Sequence, residues 1–231
     1  MQPTHKFLRT AITLIGVISM LVSALQIQPQ PVLAQGKDGI QRDYNTETGK
    51  VSRITGTGNE PITVMGAMSA DMSPEQRSDV LVERFAPEFG LTSPSEELTL
   101  ADESQPDANR TVTKYQQVYQ GVPVLGGELI VNAGSNGELY SMNGEVSQGI
   151  DLKATPTVTK ADAKNTALQI VIRGLGGSQA DYIVSEPELW IYDESLLKPS
   201  DRPVELVWRM EVTAADNSGL WRELVLVNAH T

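Results

Sequence analysis

The chain contains no cysteine. Without a thiol there is no disulfide, no thiolate nucleophile, no thiolate metal site and no lipobox-type lipid anchor. Histidine is nearly as scarce, with only His5 and His230. A zinc protease of the His-Glu-x-x-His type needs two imidazoles one helical turn apart on the metal and a carboxylate to activate water. This sequence does not hold that motif. Basic residues are in deficit, 18 against 29 acidic, for a net charge of −11. Phosphate recognition requires clustered Lys and Arg, so the balance argues against nucleic-acid binding. What is present, 40% hydrophobic and 20% charged residues, describes a globular chain. Its 231 residues make one large domain or two small ones.

The one long apolar run lies at the N-terminus. Lys6 and Arg9 precede a stretch from Ala11 to Leu25 that is apolar apart from Thr13, Gly16, Ser19 and Ser23. Gln26 to Pro31 is polar and leads to Val32-Leu33-Ala34, small residues of the kind signal peptidase reads. About 15 apolar residues followed by Gln and Pro fall short of the roughly 20 that a spanning helix needs. Residues 1–34 therefore read as a secretory signal peptide, cut between Ala34 and Gln35. The chain is then expected outside the cytoplasm, secreted or periplasmic, with no membrane attachment after cleavage. Removal leaves 16 basic against 29 acidic residues, a net −13, and His230 as the only imidazole. Export without cysteine suits a bacterial protein that does not rely on disulfides.

The mature part reads as α+β, two consecutive small modules, each a helix packed on an antiparallel sheet. From Gln35 to about Asn59 the sequence is a loose lead-in or short edge strand. Ser73-Pro74-Glu75-Gln76 signals a helix start, with Ser73 as cap, Pro74 at the first helical position and Gln76 completing a capping box. Leu81, Phe85 and Phe89, with Val82 and Ala86, form its apolar face, and Pro87 and Gly90 stop it. A polar loop is expected over Thr92–Arg110. Period-two alternation over Thr111–Gln120 then marks a strand, Gly121-Val122-Pro123 a turn, and Val124–Val131 a second strand interrupted by Gly126-Gly127. Asn136-Gly137 is a type I′ hairpin signal leading to Glu138–Met142, and Asn143-Gly144 reads as another tight turn. After a seam near Gly149–Pro156 the plan repeats. Thr159 and Asp162 resemble a capping box, Ala163, Ala167, Ile170 and Val171 share a helical face, and Gly174, Gly176 and Gly177 end the helix. Extended runs follow at Pro187–Tyr192, Val204–Thr213 and Leu220–Ala229, with Asn217-Ser218-Gly219 turning between the last two. Trp190 and Trp208 are expected to pack under the helices. The modules are thus 35–150 and 151–231.

Catalytic constellations are missing from these residues. A Ser–His–Asp triad would have to use His230, the second-last residue, with nothing downstream to orient it; a solvated terminal histidine is the expectation. Glu96-Glu97 and Asp102-Glu103 are neighbours in a polar stretch, not carboxyls held across a cleft. Gly174-Leu175-Gly176-Gly177 follows a helix instead of opening one, so it caps and does not cradle phosphate. Asn109-Arg110-Thr111 has a glycosylation pattern and reads as loop.

One stretch carries a resemblance. Tyr115-Gln116-Gln117-Val118-Tyr119-Gln120-Gly121-Val122-Pro123-Val124-Leu125-Gly126-Gly127-Glu128-Leu129 resembles the fungalysin/thermolysin propeptide motif of secreted thermolysin-like zinc proteases, in which an aromatic-Gln-Gln strand leads to Tyr-x-Gly-Val-Pro-Val. Residues 157–231 resemble the PepSY domain that follows in such precursors. Its three strands are matched by Glu188–Tyr192, Leu206–Met210 and Val225–Thr231. Asn228 stands where that family usually has Asp, and the family usually continues with Gly after the threonine.

The resemblance implies a prosegment that acts as intramolecular chaperone and cleft-occupying inhibitor, with the catalytic domain outside this sequence. The chain is then no enzyme itself but the N-terminal part of a metalloendopeptidase precursor. Its implied partner is a thermolysin-like catalytic domain, in cis or in trans. Zinc, with calcium as a second candidate, is implied only for that domain; no cofactor is expected here. Candidate contact residues are Tyr115, Gln116, Gln117, Tyr119, Gly121, Val122, Pro123 and Val124. The alternative is a free-standing secreted module that binds or inhibits a separately encoded protease. For Gln116, Gln117 and Pro123 a structural role stands level with a functional one: amides that bond neighbouring strands and a proline that sets the turn.

Overall fold

The structure, a computed structural model, describes residues 34–35, 39–64, 68–69, 71–216 and 221–231. The signal-peptide reading of 1–33 and the turn expected at Asn217-Ser218-Gly219 fall outside them. Strands β1 (Ala34–Gln35), β2 (Ile40–Tyr44) and β3 (Val51–Gly56) come first, followed by helix α1 (Pro74–Phe85) and a one-turn helix α2 (Pro94–Glu97). Then run β4 (Leu98–Asp107), β5 (Arg110–Tyr119), β6 (Val122–Gly134) and β7 (Leu139–Glu145). The second half holds helix α3 (Lys160–Leu175), β8 (Tyr182–Val184), β9 (Glu188–Tyr192), β10 (Glu205–Ala214) and β11 (Arg222–Asn228). The fold class is α+β, as the residue patterns imply.

Helix α1 starts as its sequence dictates. The Gln76 backbone N–H donates to Ser73 Oγ at 3.2 Å and the Ser73 N–H to Gln76 Oε1 at 2.9 Å, a complete capping box with Pro74 in the first turn. Pro87 cannot continue the ladder, and the chain tightens into a 3₁₀ turn over Ala86–Phe89 that closes on Gly90 at φ 104°. Leu81, Val82, Phe85, Ala86 and Phe89 are buried against Leu129, Val131, Leu139 and Met142 of β6 and β7. Fully burying one such large side chain contributes roughly 1.5–3 kcal/mol. Helix α3 carries half of its expected box: Thr159 Oγ1 accepts from the Asp162 N–H at 3.2 Å, but the Asp162 carboxylate takes the Thr159 hydroxyl. Ala163, Ala167 and Val171 face the second core, whereas Ile170, expected on that face, is exposed.

The first sheet contains more strand than local patterns indicate. The lead-in is an ordered hairpin, β2–β3, and β3 pairs with β7. The polar stretch 92–110 is not a loop: it holds α2 and the ten-residue strand β4, paired to β5 and exposed except at Leu98. Without apolar alternation β4 is invisible to a periodicity argument, because one ladder and no core face define it. Asn143-Gly144 is not a turn but lies inside β7, with Gly144 opposite Leu129. Asn136 lacks the positive φ of a type I′ turn. Gly137 alone takes it, at 85°, and the Gly134 N–H donates to Glu138 O at 2.7 Å, a three-residue loop closed by a left-handed glycine.

The second sheet has β11 on one edge of β10, with β9 and β8 sharing the other. Trp208 packs beneath α3 with its indole N–H on Val158 O at 2.9 Å. Trp190 does not: it lies on the helix-free side under the Arg209 guanidinium, 5.4 Å from the ring centroid. His230 is tied down, its Nε2 3.1 Å from Thr155 O and its N–H on Asn228 Oδ1. The sheets meet where β6 pairs in parallel with β9 at Val124 and Ile191.

Candidate functional site

Strand β5 alternates, yet its buried side is polar: Thr111, Thr113, Tyr115 and Gln117. Buried polar groups must be hydrogen-bonded, and three of these anchor the strand. Thr113 Oγ1 lies 2.8 Å from Ser78 Oγ of α1, and Tyr115 OH donates to Asp79 Oδ1 at 2.7 Å. Burial, and then the Asp79 carboxylate, push the Tyr115 phenol far above its ordinary value, so it stays a donor. Gln117 is 1% exposed. Its amide acts as a strand partner: Nε2 donates to Ser147 O at 2.7 Å and Oε1 accepts from the Ser147 N–H at 2.8 Å.

The strand ends at a two-residue turn. Gln120 at φ 51° and Gly121 at φ 80° are both left-handed, and Tyr119 pairs with Val122 across them. The sequence places the turn one step late: Pro123 does not set it but sits in β6 opposite Val118. Beyond Pro123, Val124–Gly127 are interposed before Glu128 resumes pairing with Gln116, so β6 bulges outward. Gly126 is left-handed at φ 78°. Gln116 closes the bulge, its Nε2 reaching Val124 O at 2.7 Å and Gly127 O at 2.9 Å. A Cβ at Gly127 would lie 2.7 Å from Gln117 Oε1, which Ser147 holds in place.

The bulge re-aims β6. Val122 and Val124 leave the core under α1 and join the second one with Ala163, Ala167, Ile191 and Trp208. A polar joint runs alongside. Ser147 Oγ donates to Asp193 Oδ2 at 2.5 Å, the Ser195 N–H donates to Asp193 Oδ1 at 2.9 Å, and Lys50 Nζ donates to Ser195 Oγ at 3.3 Å. Burial alone would raise the Asp193 carboxyl; the hydrogen bonds from Ser147 and Ser195 and the Lys50 charge more than offset it, holding it below the ordinary aspartate value. Beside the turn lies an open cleft of about 420 Å³ between Ser93, Glu96, Gly121 and Ile150.

Of the residues singled out from sequence, Tyr115, Gln117, Val122 and Val124 are buried within the chain, Gln116, Tyr119 and Pro123 are half-buried, and Gly121 is exposed. Ala34 and Gln35 form β1, paired with Arg42 and Gln41. Ser147, Asp193 and Lys50 carried no sequence signal, because their partners lie tens of residues away. Among the described residues no group of three or more Asp, Glu or His side chains is placed to hold a metal ion.

Residues 96–146 match the fungalysin/thermolysin propeptide motif. The matched span runs from the end of α2 through β4–β7 and contains the whole bulged hairpin. The chain is also 27% identical over 124 residues, 52% of its length, to neutral protease B of Bacillus subtilis (strain 168). It is 28% identical over 104 residues, 44% of its length, to bacillolysin of Bacillus amyloliquefaciens. To the transglutaminase-activating metalloprotease of Streptomyces mobaraensis it is 29% identical over 125 residues, 50% of its length. The matches cover 22%, 20% and 16% of those proteins, so the similarity spans about a fifth of each. The resemblance to the propeptide region of a thermolysin-like protease thus rests on the motif match over the hairpin and its flanking strands and on these three relatives.

Proposed function

We propose that this chain is the exported prosegment of a thermolysin-like metalloprotease, assisting folding of the catalytic domain and occupying its cleft until cleaved away. The observation that carries the reading is the propeptide motif match at 96–146, which coincides with the hairpin that organises both cores. Residues 35–150 are the propeptide-type module and 151–231 a PepSY-like one, a reading supported by a helix followed by an antiparallel meander in the second half. Residues 1–34 direct export.

The physical mechanism needs no catalytic group here. A folded partner that binds the native catalytic domain and not its unfolded chain stabilises it by mass action, and a covalent tether supplies a high effective concentration. A rigid, clasped body suits that task, since little ordering entropy is lost on binding. The excess of 29 acidic over 18 basic residues assists approach to a cation-bearing cleft.

The test is inhibition of mature bacillolysin by the purified chain, together with recovery of activity when the denatured protease is refolded in its presence. Saturable inhibition and improved recovery are expected, with no peptide hydrolysis by the chain alone in the presence of zinc. Zinc-dependent hydrolysis by the chain itself would overturn the reading.

A further inference from the structure

Helix α1 keeps its charges apart. Glu75, Asp79 and Glu83 stand four residues apart and share one flank, while Arg77 and Arg84 project from the opposite one. Like charges at this spacing weaken a helix, and among the described residues none of the three acids is in an ion pair. Asp79 accepts only the Tyr115 hydroxyl, at 2.7 Å.

The acidic flank overlooks an open groove of about 260 Å³ between α1 and β4. Its floor is apolar: Val82 and Leu98 are buried there, and Leu100 is left 44% exposed beside Tyr115, its partner in the β4–β5 ladder. Glu103 lies opposite the buried Thr113 and so faces the same side of the sheet. Among the described residues no base lines the groove. Lys114, between Thr113 and Tyr115, points to the other face and is paired with Glu128 at 2.8 Å. Burial raises the Tyr115 phenol first, and the Asp79, Glu75 and Glu103 carboxylates push it further. The groove therefore carries an uncompensated negative field over an apolar floor.

Charge and spacing together choose the occupant. Carboxylates four residues apart repeat about every 6 Å along a helix. Alternate residues of an extended chain repeat about every 6.6 Å. Lys and Arg have aliphatic stems that cover apolar surface while the charge stays at the rim, which suits Leu100 and Tyr115 lying beneath the acids. Among the described residues no group of acids converges on one metal ion, so the complement is a set of cations spread along the groove. A second copy does not supply it, because no two Lys or Arg in this sequence stand two positions apart.

We infer that the groove between α1 and β4 binds an extended segment of another polypeptide carrying Lys or Arg at alternate positions. This goes beyond the prosegment reading, which specifies no such segment, and it stands or falls separately.

The probe is the peptide acetyl-Lys-Thr-Lys-Thr-Lys-amide, titrated into the full chain at low salt. Saturable binding is expected. Glu75→Gln with Glu83→Gln should weaken it about fivefold, as loss of two exposed charge pairs does, and Leu100→Ser should weaken it too. Glu47→Gln with Glu223→Gln removes the same charge from exposed positions outside the groove and should leave the affinity unchanged, with every unfolding midpoint preserved. Equal losses in the two double variants, or equal affinity for acetyl-Thr-Lys-Lys-Lys-Thr-amide, would reduce the binding to net charge and overturn the inference. Spermidine that binds as tightly as the peptide, and that the Glu75 and Glu83 changes weaken, would assign the groove to a small cation and overturn it. Absence of saturable binding would overturn it as well.

Discussion

Gln117 spends both ends of its amide on the backbone of Ser147, so its contribution is unlike that of a surface glutamine. Gln117→Leu strands a buried N–H and a buried carbonyl, each left unsatisfied at roughly 1–3 kcal/mol. Urea unfolding should show a correspondingly lower midpoint, with Gln116→Leu, whose bonds close a half-buried bulge, falling less. Gly144 is constrained differently. It sits at φ 144°, and an added Cβ would stand 2.0 Å from Glu128 O, a backbone atom of the neighbouring strand. Gly144→Ala must part β6 from β7, and a loss of at least about 2 kcal/mol is expected in the same assay. Sequence marked both glutamines for attention but left open whether a partner or the chain itself takes their bonds. Gln117 resolves wholly inward, because Ser147, thirty residues on, supplies its donor and acceptor.

At the scale of elements, ends were legible and edges were not. The Ser73–Gln76 box is a local device, written within four residues and formed as written; Ser73→Ala should lower stability by about 1 kcal/mol. The β5–β6 turn offers the opposite sign. Gln120 is the only non-glycine residue with positive φ among those described, and Asn-Gly is the favoured pair for a turn left-handed at both positions. Gln120→Asn is expected to raise the thermal midpoint modestly, by an amount equivalent to roughly 0.5 kcal/mol, part of the left-handed strain. Strand β4 shows why the edges escaped a reading by pattern. Its residues face water on nearly every position, so hydrogen bonding to β5, with no apolar period, makes it a strand.

Across the whole molecule, Asp193 links the joint between the two halves to pH. Its carboxyl is depressed in the folded chain, so the unfolded state binds that proton more tightly. The stability it confers is complete above the ordinary aspartate value, near pH 4, and is lost as pH falls through the lower folded value. Asp193→Asn should weaken the chain at neutral pH and flatten the acid limb of a plot of unfolding midpoint against pH; an unchanged limb would show that other carboxylates govern it.

What the sequence determined by itself was everything decided within a few residues of chain. It supplied the helix caps and stops, the alternation of β5 and β10, the exclusion of thiol and His-Glu-x-x-His chemistry, and the Tyr-x-Gly-Val-Pro-Val segment that pointed to a propeptide. Only the tertiary structure decided that this segment is a bulge feeding Val122 and Val124 into the second core, that Trp208 lies under a helix and Trp190 on the open face, and that Ser147 meets Asp193. Those outcomes depend on which strands become neighbours. Strand neighbourhood is settled by burying whole faces together, a property that no short window of residues contains.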